Sequence, residues 1–522
     1  MHASQATPLK SFPYRMLRRI LPSVLLGAAL SAAPATLAAQ AYGSRLLESG
    51  HWAYEYLSLL RSAGYLPTLD LLQQPLTRRA ITTALAGVSP DTLPQPQASW
   101  VRLLQEEFPT RATVPEGVRG GALVWGGARA GNTDRLDPQR PLGNGGVWPR
   151  VEVGGWVATG PLVAESRVLG DTYLTHDPDG RHPELLFGGI TDHTYASLTW
   201  KHGGVIVGRF SRNWAPPGTR SLVLSDDPMG YPQIGAQFHV GRFNLEALTA
   251  ELDTVGGTRR YLAANRVAYV APHVVAALTE GLLYSASGSG LSLQLLDPFA
   301  PYLFESENPP DEARPSNLML GANLWYGEKA WEVYVEGLLD DIDVHPDSGR
   351  RRAPTRYAMT VAAKWRPLGP RVQAGAAYER VSSYAYRSYN LSDTYEYFGR
   401  GLAENFSDYD RVSLSLDVLG LVRGLRLTPC FSLLRQGEGD FRIPLPPDSI
   451  FLGSPSLFLG VVQRTYRFAL QGRYQPTRQL WFRWDVGQDV LRNADHVTGR
   501  NASRFAAVGA VGLRFEFGPW PR

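Results

Sequence analysis

The stretch QLWFRWDVG at residues 479–487 decides the fold. In an extended chain its large apolar residues share one side, namely Leu480, Phe482, Trp484 and Val486. The opposite side carries Trp481, Arg483 and Asp485. An alternation with a period of two predicts a β-strand with one apolar and one polar face.

The same alternation continues from about Val118 to Phe517. About eighteen runs follow one another, and many are roughly 10–13 residues long, which lets a tilted strand cross a bilayer. A soluble β-sandwich alternates too, but its strands are usually about 5–6 residues long. Aromatic residues near the strand ends indicate the interfacial girdles of a membrane barrel; they are Trp200, Trp325, Tyr326, Trp365, Tyr378 and Tyr474.

The connections between these runs alternate between short turns and long loops. Long loops are predicted at 213–231, 286–316, 383–408 and 436–464. An even strand number with this alternation is typical of outer-membrane barrels. We therefore predict an all-β transmembrane barrel of about 18 antiparallel strands over residues 117–522, located in the cell outer membrane.

Composition and charge agree with a β-rich, exported protein. The 522 residues include 53 Gly, 24 Tyr and 13 Trp, and only 19% are charged. The whole net charge of +4 is accounted for by four cations in residues 1–39, so the rest of the chain is neutral and predicts no nucleic-acid partner. The single cysteine, Cys430, excludes an intrachain disulfide.

The N-terminal segments differ from the rest of the chain. Residues 1–41 have a basic start, an apolar centre and small residues at the end, which predicts a secretory signal peptide; a membrane anchor is the alternative. Residues 42–116 have helical periodicity, with a first helix stopped by Gly64, a second capped by Thr77 and a third capped by Ser99. We predict a small periplasmic helical bundle that packs against the barrel.

No enzyme motif is present. The chain lacks a G-x-S-x-G elbow, an H-E-x-x-H pair and a phosphate-binding loop. His176 and His182 lie near acidic residues, but without the spacing of a metal site, so hydrated loop polarity is the preferred interpretation. The acidic run at 340–343 lacks the pattern of a calcium loop and is expected to be solvated. We predict neither a cofactor nor a metal.

The long loop within residues 205–238 is the main candidate for function. A barrel of this size encloses a lumen too wide for side chains alone, so the lumen is either a channel or plugged. Trp214 and the prolines suit a rigid plug or a sugar-binding platform, and the Tyr-rich loop 383–408 has the same two interpretations. The candidate polysaccharide-binding residues are Arg209, Arg212, Asn213, Trp214, Arg220, Asp226, Asp227, Tyr395 and Tyr397.

Several motifs, in order, resemble the Wzi family of outer-membrane capsule assembly proteins. They are RFSRNWAPPGTRSLVLSDDPMGYPQIG (209–235), NRVAYVAP (265–272), LTEGLLYS (278–285), LLDPFAPYLFESEN (295–308), GLLDDI (337–342) and YEYFGRGLAENFSDYDRVSL (395–414). The motif or lumen residues carried by this resemblance are Arg266, Glu280, Asp297, Asp340 and Asp341. The chain departs from the family by Ala-Pro-Pro-Gly after Trp214 and by Ser-Asp-Asp at 225–227, which bears on the identity of the sugar.

The resemblance implies a non-enzymatic surface lectin that binds or anchors capsular or extracellular polysaccharide. The alternatives are a diffusion porin with a cell-wall-contacting helical unit and, third, an outer-membrane hydrolase, for which no site is found. The expected partners are polysaccharide, outer-membrane lipid and the barrel assembly machinery. The last of these is indicated by RFAAVGAVGLRFEF at 504–517, which resembles an aromatic C-terminal strand but continues to Arg522.

Overall fold

A computed structural model describes residues 43–109, 117–133, 143–177, 188–286, 295, 301–305, 313–340, 355–446 and 457–521. The predicted signal peptide at 1–41 lies outside these residues. Within them, no helix is both long and apolar enough to span a membrane.

Eighteen antiparallel strands form a closed barrel, as predicted. Each strand pairs with its neighbours in the chain, and the last strand pairs with the first through Val508–Pro521 and Arg119–Gly131. In chain order the strands are β1 Arg119–Gly131, β2 Gly146–Thr159, β3 Leu162–Asp171, β4 Gly188–Thr191 with Thr194–Trp200, β5 Gly203–Phe210, β6 Tyr231–Val240, β7 Phe243–Val255, β8 Thr258–Val270, β9 Val274–Ala286, β10 Ala313–Gly327, β11 Trp331–Asp340, β12 Arg356–Trp365, β13 Val372–Val381, β14 Tyr409–Leu419, β15 Leu425–Gln436, β16 Gln463–Tyr474, β17 Leu480–Arg492 and β18 Asn501–Pro521.

Strand β4 is one strand in two pieces. Both pieces pair with β3, with Thr191 opposite Val168 and Tyr195 opposite Glu165. The register shifts by one residue between these pairs, so Asp192 and His193 form a bulge. Because the chain keeps its direction through the bulge, the two pieces count as one strand, and the barrel has eighteen strands.

Short turns and long loops define the two ends of the barrel, here called the short-turn end and the long-loop end. The predicted alternation fails at one place. Strands β7 and β8 are joined at the long-loop end by Gly256 and Gly257 alone. Both glycines have positive φ (58° and 82°), the backbone of a tight two-residue hairpin, so a Gly-Gly pair suits this turn.

The outer surface of the wall is apolar. Large apolar side chains such as Val151, Phe468 and Phe505 are exposed on it, on strands whose other face is polar. Of the predicted girdle residues, Trp365 is exposed, whereas Trp325 is buried and its ring lies under the guanidinium of Arg61. The girdle prediction was wrong for Trp325, because its position in the alternation directs it into the lumen.

Three helices precede the barrel: α1 Ala53–Ser62, α2 Arg78–Ala86 and α3 Gln97–Glu107. They share one buried core that includes Leu57, Leu60, Ile81, Val101 and Leu104. The cap predicted at Thr77 is confirmed, since its side chain accepts a hydrogen bond from the Ala80 amide (3.2 Å). The cap predicted at Ser99 is wrong: α3 begins two residues earlier, after Pro96. We call residues 43–109 the helical unit.

Candidate functional site

The loop between β5 and β6, residues 211–230, folds into the lumen, and we call it the plug loop. Its Asn213 exchanges two backbone hydrogen bonds with Gln74 of the helical unit, at 2.9 and 3.0 Å. The plug loop leaves the long-loop end of the wall and meets a unit that contacts the short turns. It therefore runs along the axis of the barrel.

A buried carboxylate on β7 holds the start of the plug loop. Glu246 accepts hydrogen bonds from the Arg212 guanidinium and from the Trp214 indole, the latter at 3.0 Å. Arg212 also donates to the Gln233 side chain (2.5 Å). Arg212, Trp214 and Glu246 are all almost completely buried. Such a pair is stable only because each buried charge has its partner.

A second buried carboxylate, Glu336 on β11, holds the middle of the plug loop. It accepts from the Ser221 hydroxyl (2.8 Å) and from the Leu222 amide (3.0 Å). On the other side the loop between β13 and β14 reaches in. Tyr386 donates to the Leu222 carbonyl (2.7 Å) and Tyr395 to the Val223 carbonyl (2.9 Å). The plug loop is thus fixed from opposite sides.

The wall around the plug loop is apolar on its inner face as well. The largest buried cluster joins Leu222, Val223 and Leu224 to inward residues of β7–β13, including Leu248, Leu252, Leu262, Leu283, Met319 and Leu338. Two wall glycines make room for this packing. A side chain at Gly321 would meet Val223, and one at Gly281 would meet the Tyr395 hydroxyl. This half of the lumen is consequently filled like a protein core.

The helical unit closes the short-turn end through ion pairs to strands on different sides of the barrel. Glu48 pairs with Arg514 on β18 (2.6 Å), and Glu55 pairs with Arg426 on β15 (3.3 Å). On the far side, Asp70 pairs with Arg266 on β8 (2.8 Å). Burial in the unit is deep enough to lower the pKa of the His51 imidazole well below its ordinary value.

The other half of the lumen contains a cavity of about 1170 Å³. It lies beside β1–β3 and β13–β18 and reaches the helical unit at one end. Four predicted site residues of the plug loop line it: Asn213, Arg220, Asp226 and Asp227. Arg220 pairs with Asp227 (2.8 Å), and Arg400 from the β13–β14 loop approaches the same carboxylate (3.3 Å). These polar groups are placed to contact a solute in the cavity.

The remaining candidate residues hold the interior together. Arg209 donates to the Gly230 carbonyl (3.0 Å) and to the Tyr397 hydroxyl (2.9 Å). Tyr395 and Trp214 are fully buried, so neither ring presents a face to solvent. The geometry therefore divides the predicted set into cavity-lining groups and groups that fix the plug loop.

The residues carried by the family motifs are also spread over several contacts. Glu280 accepts from the Tyr302 amide (2.9 Å), which tethers the β9–β10 loop. Asp340 is fully buried and accepts from the Tyr386 amide (2.5 Å), so the expectation that the acidic run is solvated was wrong at this position. Asp297 and Asp341 lie outside the described residues, as does His182.

Two important residues escaped the sequence analysis. Glu246 was not singled out, although it is an acid on the inward side of β7, where Leu248, Ala250 and Leu252 follow it. Gln74 was not identified either, because nothing in a sequence marks a backbone pairing 139 positions apart. The signal that was available is a strand that is apolar on both faces, which indicates burial on both sides.

The contact between the two inner loops is expected to depend on pH. Burial raises the pKa of the Glu404 carboxyl from 4.5 to about 7, with Glu379 and Asp227 adding repulsion and with Arg220 and Arg411 opposing it. Between pH 4.5 and about 7, Glu404 keeps a proton in the native state that it loses in the unfolded state. The free energy of unfolding is therefore highest at low pH and falls as pH rises towards 7. The free energy of unfolding differs by about 1–3 kcal/mol between the low-pH and the high-pH end of this range.

Hydrogen exchange of the Ser225 amide, which donates to Leu402, reports this contact. After correction for the intrinsic rate, we expect greater protection at pH 5.5 than at pH 8. Glu404→Gln removes the titrating group and is expected to give equal protection at both pH values. Equal protection in the unchanged protein would contradict the prediction.

Comparison with known proteins supports the fold. No protein-family model and no curated protein sequence matches the chain. Among solved structures, Wzi of Escherichia coli is similar over 91% of this chain and 100% of its own, with a TM-score of 0.61 and 10% identity. That protein is described as a carbohydrate-binding outer-membrane β-barrel involved in group 1 capsule assembly.

Two barrels of Pseudomonas aeruginosa are less similar. OpdL matches 77% of this chain and 99% of its own (TM-score 0.44, 11% identity). OprD matches 76% and 95% (TM-score 0.44, 9% identity). The likeness to Wzi therefore confirms, at the level of the fold, the resemblance that the sequence motifs carry: this chain has a Wzi-like closed β-barrel.

Proposed function

We propose that this chain is a non-enzymatic outer-membrane protein that binds capsular or extracellular polysaccharide and helps to assemble a capsule on the cell surface. The observation that carries the proposal is the filled lumen. A plug loop packed on an apolar wall and a helical unit across the short-turn end suit a binding protein. The cavity that is left has polar and aromatic walls, as a saccharide site requires.

The same observation argues against a diffusion porin. A porin needs a continuous aqueous path through the barrel. Here the helical unit crosses one end and is tied to the wall on several sides by Glu48, Glu55 and Asp70. Closing the lumen in this way leaves a pocket, and a pocket binds solutes more readily than it transports them.

The proposal includes an orientation and a route. In it, residues 1–41 direct export, the helical unit lies in the periplasm, as predicted for the segment 42–116, and the long loops lie outside the cell. Lipid contacts the apolar outer surface, and the barrel assembly machinery receives the aromatic end of β18. That end carries Phe515 and Phe517, whose rings stack at 6.5 Å.

Surface polysaccharide retention tests the proposal. Cells lacking the gene are expected to release their capsular polysaccharide into the medium, and the intact gene is expected to restore attachment. The double variant Arg220→Gln with Asp227→Asn alters groups that line the cavity and is expected to retain much less polysaccharide. A matched control is Arg500→Gln, since Arg500 is exposed and lies away from the cavity. Full attachment in the deletion strain would overturn the proposal.

A further inference from the structure

Two tryptophans occupy the side of the strands where polar residues are expected. Trp125 on β1 and Trp481 on β17 both face the lumenal cavity and are half-buried. In a membrane barrel the apolar side chains belong on the lipid face and the polar ones inside. An indole pair that borders an aqueous cavity is therefore a feature that wall stability alone does not require.

The two indoles stack, and a guanidinium lies near each ring. The ring centroids of Trp125 and Trp481 are 6.1 Å apart with an interplanar angle of 25°. Arg150 lies 4.9 Å above the Trp125 ring, and Arg483 lies 5.8 Å from the Trp481 ring. All four side chains line the same cavity. We call this row of four residues the Arg-Trp stack.

A glycine on the intervening strand makes the stack possible. Strand β18 lies between β1 and β17, and Gly512 on it pairs with Trp481 on one side and with Gly127 on the other. A side chain at Gly512 would come within 2.6–2.7 Å of the Trp481 ring. With only hydrogen there, the indole lies flat over the strand and reaches towards Trp125.

The arginines of the stack are only weakly neutralised. Among the described residues no carboxylate forms an ion pair with Arg483, and its side chain is exposed to the cavity. Arg150 approaches Glu152 and Asp171 only at 3.5 and 3.9 Å and keeps 40% of its side chain exposed. Positive charge is therefore available beside each indole for the carboxylates of an anionic ligand.

From this arrangement we propose that the Arg-Trp stack is a lumenal binding site for an acidic oligosaccharide segment. The apolar C–H faces of sugar rings would lie on the indoles, and carboxylates would bind the guanidiniums. The cavity of about 1170 Å³ is larger than most small-molecule pockets, which are about 300–1,000 Å³, so it can hold several sugar units. This inference rests on the proposed polysaccharide binding and specifies where it occurs and what charge the sugar carries.

A second stack extends the same surface towards the long-loop end. Arg129 is paired with Trp148 across β1 and β2, and its guanidinium lies 5.5 Å from that ring and 4.3 Å from the Tyr173 ring. Trp148 is one inward position before Arg150 on β2. Arginine and aromatic rings thus alternate from the long-loop end into the cavity, which gives an entering chain successive contacts.

Binding to the purified full-length protein in detergent tests the site. The probes are tetragalacturonate, which carries carboxylates, and maltotetraose, a neutral sugar of equal length, measured by calorimetry and tryptophan fluorescence. We expect tetragalacturonate to bind more tightly than maltotetraose. Arg483→Gln is expected to weaken the acidic probe about tenfold and to leave the neutral one unchanged, whereas Arg483→Lys keeps much of the affinity. Trp481→Ala is expected to weaken the binding of both tetragalacturonate and maltotetraose.

Trp365→Ala is the matched control, because Trp365 is an exposed residue of the outer surface. The shift in gel mobility on heating shows that each variant is folded, and Arg483→Gln tests the site even if Trp481→Ala does not fold. Wild-type affinity for tetragalacturonate in both Arg483→Gln and Trp481→Ala would overturn the lumenal site while leaving polysaccharide binding intact. A protein that binds the cell's own polysaccharide but not tetragalacturonate would also overturn it. Binding to neither would overturn the proposed function as well.

Discussion

Replacing Glu246 by alanine is expected to release the plug loop from the wall. The change leaves the buried Arg212 guanidinium without its carboxylate and the Trp214 indole without its acceptor. Removing one partner of a buried ion pair costs about 3–5 kcal/mol. Since the barrel hydrogen bonds do not depend on Glu246, we expect local opening of the plug loop and an intact barrel.

Cysteine labelling measures that opening. Leu224 is fully buried in the plug loop, so Leu224→Cys in a Cys430→Ser background reports its exposure to a maleimide reagent. With Glu246→Ala we expect labelling to accelerate about 10²-fold or more, if opening precedes the reaction. Glu246→Gln keeps an acceptor for Trp214 and is expected to give a smaller increase.

Glu251→Ala is the control, because Glu251 lies on the same strand but is exposed. Equal labelling rates in the Glu246 and Glu251 variants would mean that the Arg212 contact does not hold the plug loop. The prediction would then fail even if the barrel remained folded.

The sequence was sufficient to predict the strands of the wall because they follow one pattern, the alternation of apolar and polar residues. In β17, lipid on one side and water on the other impose the alternation seen in Phe482, Arg483 and Trp484. The even number of such strands allows the last strand to pair antiparallel with the first and so to close the barrel. The break at Asp192 and His193 could not be foreseen, because a bulge alters the register of a single strand without changing its composition.

The interior was harder to predict because the plug loop covers the inner face of half of the wall. That face then carries apolar residues where a water-filled lumen would require polar ones. Leu248 and Leu262 face the plug loop instead of water, so β7 and β8 carry large apolar residues on both faces and resemble ordinary buried strands. The candidate residues remain a prediction, and their burial depends on partners far along the chain, which the sequence does not reveal. Trp214 was expected as a platform or a rigid support, and its contact with Glu246 places it in the second role.

The two halves of the wall differ, and this difference explains how the interior can both hold the plug loop and contain a cavity. Strands β7–β13 bind the plug loop through apolar contacts, whereas β1–β3 and β14–β18 border the cavity with side chains that are mostly polar. One half of the lumen is a protein core, and the other half remains wet. Among the described residues, the helical unit is the barrier between that wet half and the short-turn end.

Detaching the helical unit is therefore expected to convert the closed barrel into a conducting one. Glu55→Lys with Asp70→Lys places lysines against Arg426, Arg473 and Arg266. Attraction becomes repulsion at both contacts, and breaking a buried ion pair alone costs about 3–5 kcal/mol. In planar bilayers we expect little current from the unchanged protein and stepwise single-channel currents from the double variant.

The control must change the charge of the helical unit by the same amount without touching the wall contacts. Asp91→Lys with Thr83→Lys and Ser89→Lys does so, since all three side chains are exposed on the unit. We expect this control to stay closed. If the Glu55 and Asp70 variant also stays closed while protease treatment shows that its helical unit is detached, then the plug loop alone seals the lumen. The cavity would then end at the plug loop, and a saccharide in it could enter only from the long-loop end.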